Sequence, residues 1–217
     1  MNLAIFDLDN TLLRGDSDHA WGRFLIENHI VDGEVYEREN ERYYAQYQAG
    51  TLDIMKFLAF ALRPLATHDR AILDRWHQQY MQTKILPMIT PEARALVEKH
   101  RARGDTLIII TATNRFITAP IAREFNVSHL LATEPEERDG RFTGLVAGTP
   151  CYRDGKVTRL RSWMQEQNQT LQGSWFYSDS HNDLPLLSIV DHPVAVNPDD
   201  TLRREALKRS WPILHLR

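Results

Sequence analysis

Length, composition and charge limit the classes of protein to which this chain can belong. It has 217 residues, 42% of them hydrophobic and 25% charged, as in an ordinary globular protein, and no apolar window approaches the roughly 20 residues of a membrane span. The formal net charge of −3 argues against nucleic acid or an anionic membrane as the main partner.

The first predicted element is a short buried strand over residues 3–7, which ends in carboxylates. The apolar run LAIF leads into Asp7, and Asp9 follows two positions later. Because residues two apart in an extended chain point to the same side, these carboxylates repel each other unless a positive charge lies between them. The end of this strand therefore predicts a site that contains a cation.

Helices and no strand are predicted between residues 18 and 84. Apolar residues recur there at helical spacing, and Gly50 and Pro64 are stop signals. The predicted helices cover 20–30, a tyrosine-rich segment from about 36 to 50, 54–62 and 71–80. We interpret residues 18–84 as a helical cap inserted into a core domain formed by residues 1–17 and 85–217.

From Pro87 onward, predicted helices and strands alternate. Thr90 and Pro91 form a typical helix start, and Asp139-Gly140 forms a typical hairpin turn. Strands are predicted over 106–110, 129–132, 174–177 and 193–196, and helices over 91–104, 115–125, 156–167, 184–189 and 201–209. Alternation of this kind implies a parallel sheet with right-handed crossovers. The predicted fold class is α/β, with a Rossmann-like parallel sheet core and an all-helical cap inserted after the first strand.

Predicted strands end in polar residues at Asp7, Thr111 and Asp179. The carboxyl ends of parallel strands meet at one edge of a sheet, where ligands bind, so we expect these side chains to lie together. Asn182 and Asp183 follow the last of these strands and belong to the same edge. An alternative is that Thr111 or Thr113, and Asn182 or Asp183, cap the helices that follow them.

Lys156 lies at the start of the predicted helix 156–167. A cation at a helix N-terminus opposes the helix dipole by about 0.3–1 kcal/mol, so a lysine there suggests an anionic neighbour. The alternative is an ordinary solvated lysine on the surface.

Two features predict a cytoplasmic location. The first strand begins almost at Met1, and no basic segment followed by an apolar stretch, the pattern of a signal peptide, is present. Cys151 is the only cysteine, so no intramolecular disulfide can form, which is consistent with a reducing compartment. The oligomeric state is left open.

The residues at this edge resemble the four motifs of the haloacid dehalogenase-like phosphatase superfamily. The matching segments are the DxDxT run Asp7-Leu8-Asp9-Asn10-Thr11, the hydroxyl residue Thr111, the lysine Lys156 and the acidic loop Asp179-Ser180-His181-Asn182-Asp183. Ser180 stands where many members have glycine. The helical insert resembles the cap of the phosphoserine phosphatase branch. The segments GDSD, TATNRFIT and SDSHNDLPLL are most similar to a group that includes histidinol-phosphate phosphatases.

The resemblance implies Mg²⁺-dependent hydrolysis of a phosphomonoester through an aspartyl-phosphate. Asp7 would be the nucleophile, and Asp9 would be the general acid and then the general base, a double role that favours a raised pKa. The implied Mg²⁺ ligands are the carboxylates of Asp7 and Asp179 and the backbone carbonyl of Asp9. The metal and Lys156 would together supply the positive charge that the first strand requires.

The resemblance also implies supporting roles for other residues of this edge. Thr111 and Ala112 would bind the phosphoryl group, with help from backbone N–H groups of the next helix. Lys156 would neutralise charge on the phosphate and the nucleophile. Asn182 would orient the substrate or the loop, and Asp183 would hold Lys156 or a metal-bound water.

Asp16 bears on the choice of substrate. It lies about where the phosphoserine phosphatase branch has an acid that meets the substrate's amine, so it favours an amine-bearing phosphate over a sugar phosphate. Histidinol phosphate, phosphoserine and a phosphorylated amino alcohol all fit, and the resemblance favours histidinol phosphate. Asp18 is a further acid of this segment, and His181 is interpreted as a solvated loop histidine. The aromatic residues of the cap are interpreted mainly as its own core: Trp21, Phe24, Tyr43, Tyr44 and Tyr47.

Other functions stay open at this point. A phosphotransferase or mutase of the same superfamily would pass the phosphoryl group to another acceptor. A receiver-like signalling protein also gathers acids, a threonine and a lysine around Mg²⁺, although receivers are much shorter and have no cap. A phosphate-binding relative would bind its ligand without turnover. We expect a small-molecule phosphate ester as the partner, and neither nucleic acid nor membrane.

Overall fold

The computed structural model describes residues 2–216, which form one seven-stranded sheet. Its strands are β1 (Leu3–Phe6), β2 (Thr106–Asn114), β3 (His129–Arg138), β4 (Arg141–Ala147), β5 (Trp175–Ser178), β6 (His192–Val196) and β7 (Ile213–Leu214). Their order across the sheet is β4-β3-β2-β1-β5-β6-β7. Neighbouring strands are parallel, except that β3 and β4 are antiparallel. The predicted α/β class with a parallel core is confirmed.

Helices connect most of the strands and cover the sheet. In chain order they are α1 (Ser17–Glu27), α2 (Gly33–Gln48), α3 (Ile54–Ala61), α4 (Arg63–Thr67), α5 (Arg70–Tyr80), α6 (Pro91–Ala102), α7 (Arg115–Glu124), α8 (Asp154–Gln167), α9 (Leu184–Leu187) and α10 (Asp200–Lys208). The first five lie between β1 and β2 in the chain, and α5 continues into a π-helical segment, Met81–Ile85. Within residues 2–216, no helix combines the length and apolar character needed to cross a membrane.

Successive residues of β1 are buried on opposite faces of the sheet. Leu3 and Ile5 belong to a hydrophobic cluster with side chains of α8, α9 and α10. Ala4 and Phe6 belong to a second cluster, with side chains of α1, α5, α6 and α7. A strand that is covered on both faces needs apolar residues at every position, which explains the run LAIF.

Part of the segment between β1 and β2 packs directly on the sheet domain. The ring of Trp21 in α1 contacts the ring of Phe116 in α7 edge to face, with 5.8 Å between the centroids. Tyr43 of α2 lies instead in a small separate cluster with Tyr152. The division into a core and a cap at residues 18–84 stays a prediction.

The predicted helix start and hairpin are confirmed. The hydroxyl of Thr90 accepts a hydrogen bond from the backbone N–H of Ala93 at 3.1 Å, which caps α6. Arg138 pairs with Arg141 across the Asp139-Gly140 turn, and this pairing joins β3 to β4.

The helix predicted over 54–62 ends at Ala61, before the stop signal Pro64. Pro64 itself lies in the first turn of a further helix, α4, where a missing N–H breaks no helical hydrogen bond. Two predictions about the strands were wrong. Strand β2 continues beyond Ile110 to Asn114, through an irregularity in its register with β3. Strand β7 was not predicted, because two residues are too few to give a periodic signal.

Candidate active site

Lys156 lies in the first turn of α8 and is only 2% exposed, so the interpretation as a surface lysine is wrong. Its ammonium donates hydrogen bonds to Oδ1 of Asp7 and to Oδ2 of Asp183, both at 2.7 Å. Burial alone lowers the pKa of Lys156, but the charges of Asp183 and Asp7 outweigh burial and raise the pKa above its usual value. The lysine is therefore a fixed positive charge beside Asp7.

An unusual turn brings Lys156 into this position. Arg153, which precedes α8, has φ 50 and ψ −120, a conformation that non-glycine residues rarely adopt. At Gly155 a Cβ atom would lie 2.0 Å from the backbone oxygen of Pro150, so only glycine fits there. Strain of this kind persists where the surrounding structure holds it, and it often accompanies a functional site.

Asp7 and Asp179 converge on one hydroxyl group. The Oγ1 atom of Thr11 lies 3.0 Å from Oδ2 of Asp7 and 3.2 Å from Oδ1 of Asp179. The backbone N–H of Asp179 donates to the same Oγ1 at 3.0 Å. Burial, together with the charges of Asp183 and Asp9, raises the pKa of Asp7 to about 7. Burial, and then the charge of Asp7, raise the pKa of Asp179 well above its usual value. Two repelling carboxylates thus face one small space.

This donor set fits a magnesium ion. Hard carboxylate oxygens are ligands that Mg²⁺ prefers, and Mg²⁺ usually binds one or two protein carboxylates and keeps several waters. Within the described residues, no three His, Cys, Asp or Glu side chains converge as a metal-binding group. The predicted set of two carboxylates, from Asp7 and Asp179, with one backbone carbonyl, from Asp9, is consistent with that finding. A divalent cation here would favour the charged form of both carboxylates and so lower both pKa values.

Asp9 is buried and accepts hydrogen bonds on both carboxylate oxygens. Oδ1 accepts from the backbone N–H of Ser17 at 2.7 Å. Oδ2 accepts from the hydroxyl of Thr113 at 2.9 Å and from that of Thr111 at 3.3 Å. Burial, and then the charge of Asp16, raise the pKa of Asp9 to about 6 despite these bonds. A carboxyl group with such a pKa can donate and accept protons near neutral pH.

The hydroxyl groups after β2's apolar run do not cap the next helix. The side chain of Asn114 caps α7 by accepting from the N–H of Ile117 at 3.3 Å. Thr111 is 1% exposed, faces Asp9 and accepts from the N–H of Thr113 at 3.2 Å. The alternative in which Thr111 or Thr113 is only a helix cap is wrong.

Two neighbouring side chains of the acidic loop after β5, Asp183 and Asn182, bind different parts of the molecule. Asp183 accepts from Lys156 and from the hydroxyl of Ser178, each at 2.7 Å, and makes no capping bond to α9. The side-chain amide of Asn182 donates to the backbone oxygen of Tyr47 at 3.1 Å. Asn182 therefore ties this loop to the end of α2.

Two further side chains strengthen the contact between this loop and α2. Oδ1 of Asn182 accepts from the hydroxyl of Tyr152 at 3.1 Å and from Nε of Arg153 at 3.0 Å. The guanidinium of Arg153 also donates to the backbone oxygen of Gly50. The ring of His181 is paired, not solvated: its Nδ1 lies 2.7 Å from Oδ2 of Asp199.

A cavity opens above Asp7 and Asp9. Its other acids are Asp16 and Asp18, and Thr111, Ala112 and Thr113 form its floor beside Asp9. Aromatic rings line it as well, from Tyr43, Tyr44, Tyr47 and Phe57. Tyr43 is also buried in a small hydrophobic cluster, against which Tyr47 packs, so the interpretation as core holds for these two and is wrong for Tyr44. Trp21 and Phe24 are buried in the main cluster, together with residues of the sheet. Among the described residues that line the cavity, none is Arg or Lys.

The structure thus brings together the predicted side chains of Asp7, Asp9, Thr111, Lys156, Asp179 and Asp183. Asp16 lies in the wall of the cavity. The contacts of Thr11, Thr113 and Ser178 were not predicted from the sequence. Thr11 carries a signal, since it is the last residue of the DxDxT motif. Thr113 and Ser178 carry none, because hydroxyl residues near strand ends are common and only their contacts distinguish them.

The comparisons with known proteins agree with this arrangement. A sequence model of the haloacid dehalogenase-like hydrolase family matches residues 4–188. The chain is 47% identical to the histidinol-phosphatase of Neisseria meningitidis serogroup C (strain 8013) over 220 residues, which cover 100% of this chain and 99% of that protein.

Two solved structures have the same fold. A protein of unknown function from Bordetella pertussis Tohama I superposes with a TM-score of 0.94 at 44% identity, over 100% of this chain and 99% of that one. A substrate-bound phosphoserine phosphatase superposes with a TM-score of 0.71 at 17% identity, over 96% and 97%. The chain belongs to the haloacid dehalogenase-like hydrolase family, in which it is a phosphoric monoester hydrolase.

Proposed function

We propose that this enzyme hydrolyses the phosphate ester of a small amino alcohol without a carboxylate, and that histidinol phosphate is its substrate. One observation carries the choice: the cavity above Asp7 and Asp9 is lined by further acids and aromatic rings, and by no Arg or Lys among the described residues. The carboxylate of phosphoserine would meet acidic groups there, and the one basic side chain among the described lining residues is His19, which already pairs with Glu41 at 2.9 Å. An amine and an aromatic ring suit the same walls.

The first chemical step transfers the phosphoryl group to Asp7. A carboxylate oxygen of Asp7 attacks phosphorus, and the bond between phosphorus and the ester oxygen breaks. Asp9, in its protonated form, gives its proton to the departing alcohol oxygen. Lys156 holds Asp7 in place at 2.7 Å and offsets negative charge as the two anionic groups meet.

The second step releases phosphate. Asp9, now a carboxylate, takes a proton from a water molecule whose oxygen attacks phosphorus, and the bond between phosphorus and Asp7 breaks. This sequence returns both aspartates to their starting states. The hydroxyl of Thr111 lies 3.3 Å from Asp9 and can hydrogen-bond the phosphoryl oxygens as they move past it.

Asp7, Asp179 and the backbone carbonyl of Asp9 would hold Mg²⁺. When bound, the ion supplies positive charge that weakens the repulsion between Asp7 and the phosphate dianion and orients a phosphate oxygen. The raised pKa values of Asp7 and Asp179 support this assignment, since they mark a space where a cation is favourable.

The relative with 47% identity that is named histidinol-phosphatase supports the same substrate. A phosphoserine phosphatase, or a phosphotransferase or mutase of the same superfamily, is the main competing function. The competing functions differ in their best substrate and in the fate of the phosphoryl group, so one set of assays separates them.

The test is Mg²⁺-dependent phosphate release from histidinol phosphate, phosphoserine, ethanolamine phosphate, glucose 6-phosphate and AMP. We expect the highest kcat/KM for histidinol phosphate and loss of activity in EDTA. A preference for phosphoserine or for a sugar phosphate overturns the substrate. Release that requires an added acceptor alcohol favours a transferase, and binding without release favours a phosphate-binding protein.

A further inference from the structure

Asp18 is a carboxylate of the cavity for which the mechanism has no use. It lies in the first turn of α1 and lines the cavity together with Asp16. Its Oδ2 atom is buried and has no hydrogen-bond partner among residues 2–216. By contrast, Asp16 accepts from the N–H of His19 at 2.8 Å, and Asp9 has donors on both oxygens. Of the acids that line the cavity, Asp18 is the one with a buried oxygen that lacks a partner among the described residues.

A buried acceptor without a donor is costly, and native structures rarely keep one without a reason. The environment of Asp18 makes this cost larger. Burial, followed by the charges of Asp16 and Asp9, raises the pKa of Asp18 well above its usual value. Either a proton or a hydrogen-bond donor from a bound molecule can remove this cost. Asp18 lines the cavity that such a molecule would enter.

The space beside Asp18 favours a planar, N–H-bearing group. Tyr43, Tyr44 and Phe57 line the same cavity, and their rings can pack against a flat ring. A ring with an N–H group, charged or neutral, could lie between these walls and donate to the free oxygen. An aliphatic chain would fill the space but would leave that oxygen without a donor.

We propose that Asp18 accepts a hydrogen bond from a nitrogen-containing ring of the leaving alcohol, while Asp16 meets its amine. Asp18 is then the residue that distinguishes an imidazole-bearing amino alcohol phosphate from one with an apolar ring. This assignment rests on the proposed function and makes it more specific: the preferred phosphomonoester carries an N–H group at each of two positions.

The experiment compares kcat/KM for histidinol phosphate and phenylalaninol phosphate, which share the amine and differ in the ring. For the wild type we expect at least a tenfold preference for the imidazole ester. Asp18→Ala should reduce this ratio at least tenfold. Asp18→Asn keeps the shape of the side chain and leaves no void, and it should reduce the ratio less. This variant replaces Asp18→Ala in the test if the alanine variant does not fold. The matched control is Asp200→Ala, at an exposed position in the first turn of α10, where Asp199 supplies the cap.

A second readout does not depend on turnover. Calorimetric binding of histidinol should weaken at least tenfold in Asp18→Ala, whereas binding of phenylalaninol should change much less. An equal loss for both substrates, or an unchanged ratio, would overturn the assignment and leave Asp18 a structural residue. A wild type that prefers sugar or nucleotide phosphates would overturn the proposed function, and the role of Asp18 with it.

Discussion

The ammonium of Lys156 lies 2.7 Å from Oδ1 of Asp7, although 149 positions separate the two residues in the chain. The same ammonium reaches Asp183, which also accepts from Ser178, each at 2.7 Å. All four side chains are buried. Because a buried charge without a partner is unfavourable by several kcal/mol, each contact in this series fixes the next, and together they hold the nucleophile.

Replacement of Lys156 by Met should impair both catalysis and folding. We expect kcat to fall about 100-fold or more, because a fixed positive charge near the phosphoryl group is lost. The free energy of unfolding should fall by about 3–5 kcal/mol, because Asp183 becomes a buried charge without its partner. Phosphate release and urea unfolding measure the two effects. Lys56→Met, at an exposed site, is the control, and turnover within threefold of the wild type for Lys156→Met would contradict the role.

Asp7→Asn should abolish turnover and leave the protein folded. The amide has nearly the shape of the carboxylate, but it cannot form the acyl phosphate. Rapid quenching of the wild type should trap a hydroxylamine-sensitive phosphoprotein that the variant does not form. Asp32→Asn, at an exposed position, should behave as the wild type does. Near-normal activity of Asp7→Asn would exclude the covalent route.

Asp9→Asn should reduce kcat/KM, which reports the step in which the alcohol leaves, far more for alkyl esters than for aryl esters. Proton donation to the leaving oxygen matters for an alcohol and little for p-nitrophenolate, and general acid catalysis contributes about 10²–10⁴-fold. In the wild type, Asp9 is protonated below its pKa of about 6, so kcat/KM for the alkyl ester should fall as the pH rises through that value. The value for the aryl ester should fall less. Equal losses for both esters would argue against Asp9 as the acid.

Removal of Mg²⁺ should destabilise the protein most at high pH. Burial raises the pKa of Asp7 from 3.8 to about 7, so the metal-free folded state binds a proton that the unfolded chain has lost. Stability without metal therefore falls as the pH rises from about 4 through 7, by linkage. Bound Mg²⁺ favours the charged form of Asp7 and so reverses this loss of stability.

The measurement is the difference in Tm between saturating Mg²⁺ and EDTA. This difference should be larger at pH 8 than at pH 6. Mg²⁺ at a concentration of about 100 times its Kd stabilises the folded state by about 2.7 kcal/mol. Asp179→Asn should reduce the difference, because it removes one of the two carboxylates that face Thr11. A difference that does not depend on pH, or on Asp179, would exclude this pair as the metal site.

Asn182→Ala should weaken substrate binding more than chemistry. The side chain links the backbone oxygen of Tyr47 to Tyr152 and Arg153, and so holds one wall of the cavity closed. We expect KM to rise several-fold with a smaller change in kcat, and amide exchange of residues 44–52 to become faster. A large loss of kcat with an unchanged KM would place Asn182 in the chemistry instead.

The sequence alone was enough to predict the parallel core of the sheet and the edge at which the site lies. Alternating strands and helices predict a parallel sheet, and parallel strands bring their carboxyl ends together whatever the distance between them in the chain. For this reason Asp7, Thr111 and Asp179 were predicted as neighbours before any contact was known. Lys156 was linked to them by an electrostatic argument, since a lysine at a helix N-terminus needs an anion.

The tertiary structure alone decided which side chains meet inside that edge. Thr11 contacts both Asp7 and Asp179, and Thr113 donates a hydrogen bond to Asp9. Tyr43 and Tyr47 line the cavity as well as packing in a hydrophobic cluster, and periodicity predicted only the packing. That Oδ2 of Asp18 is buried without a partner among the described residues was likewise decided by the tertiary structure. Spacing along a chain fixes which face of a helix or strand a residue occupies. It does not fix what that face meets, because the packing of α1 and α2 over the sheet depends on contacts between residues far apart in the chain.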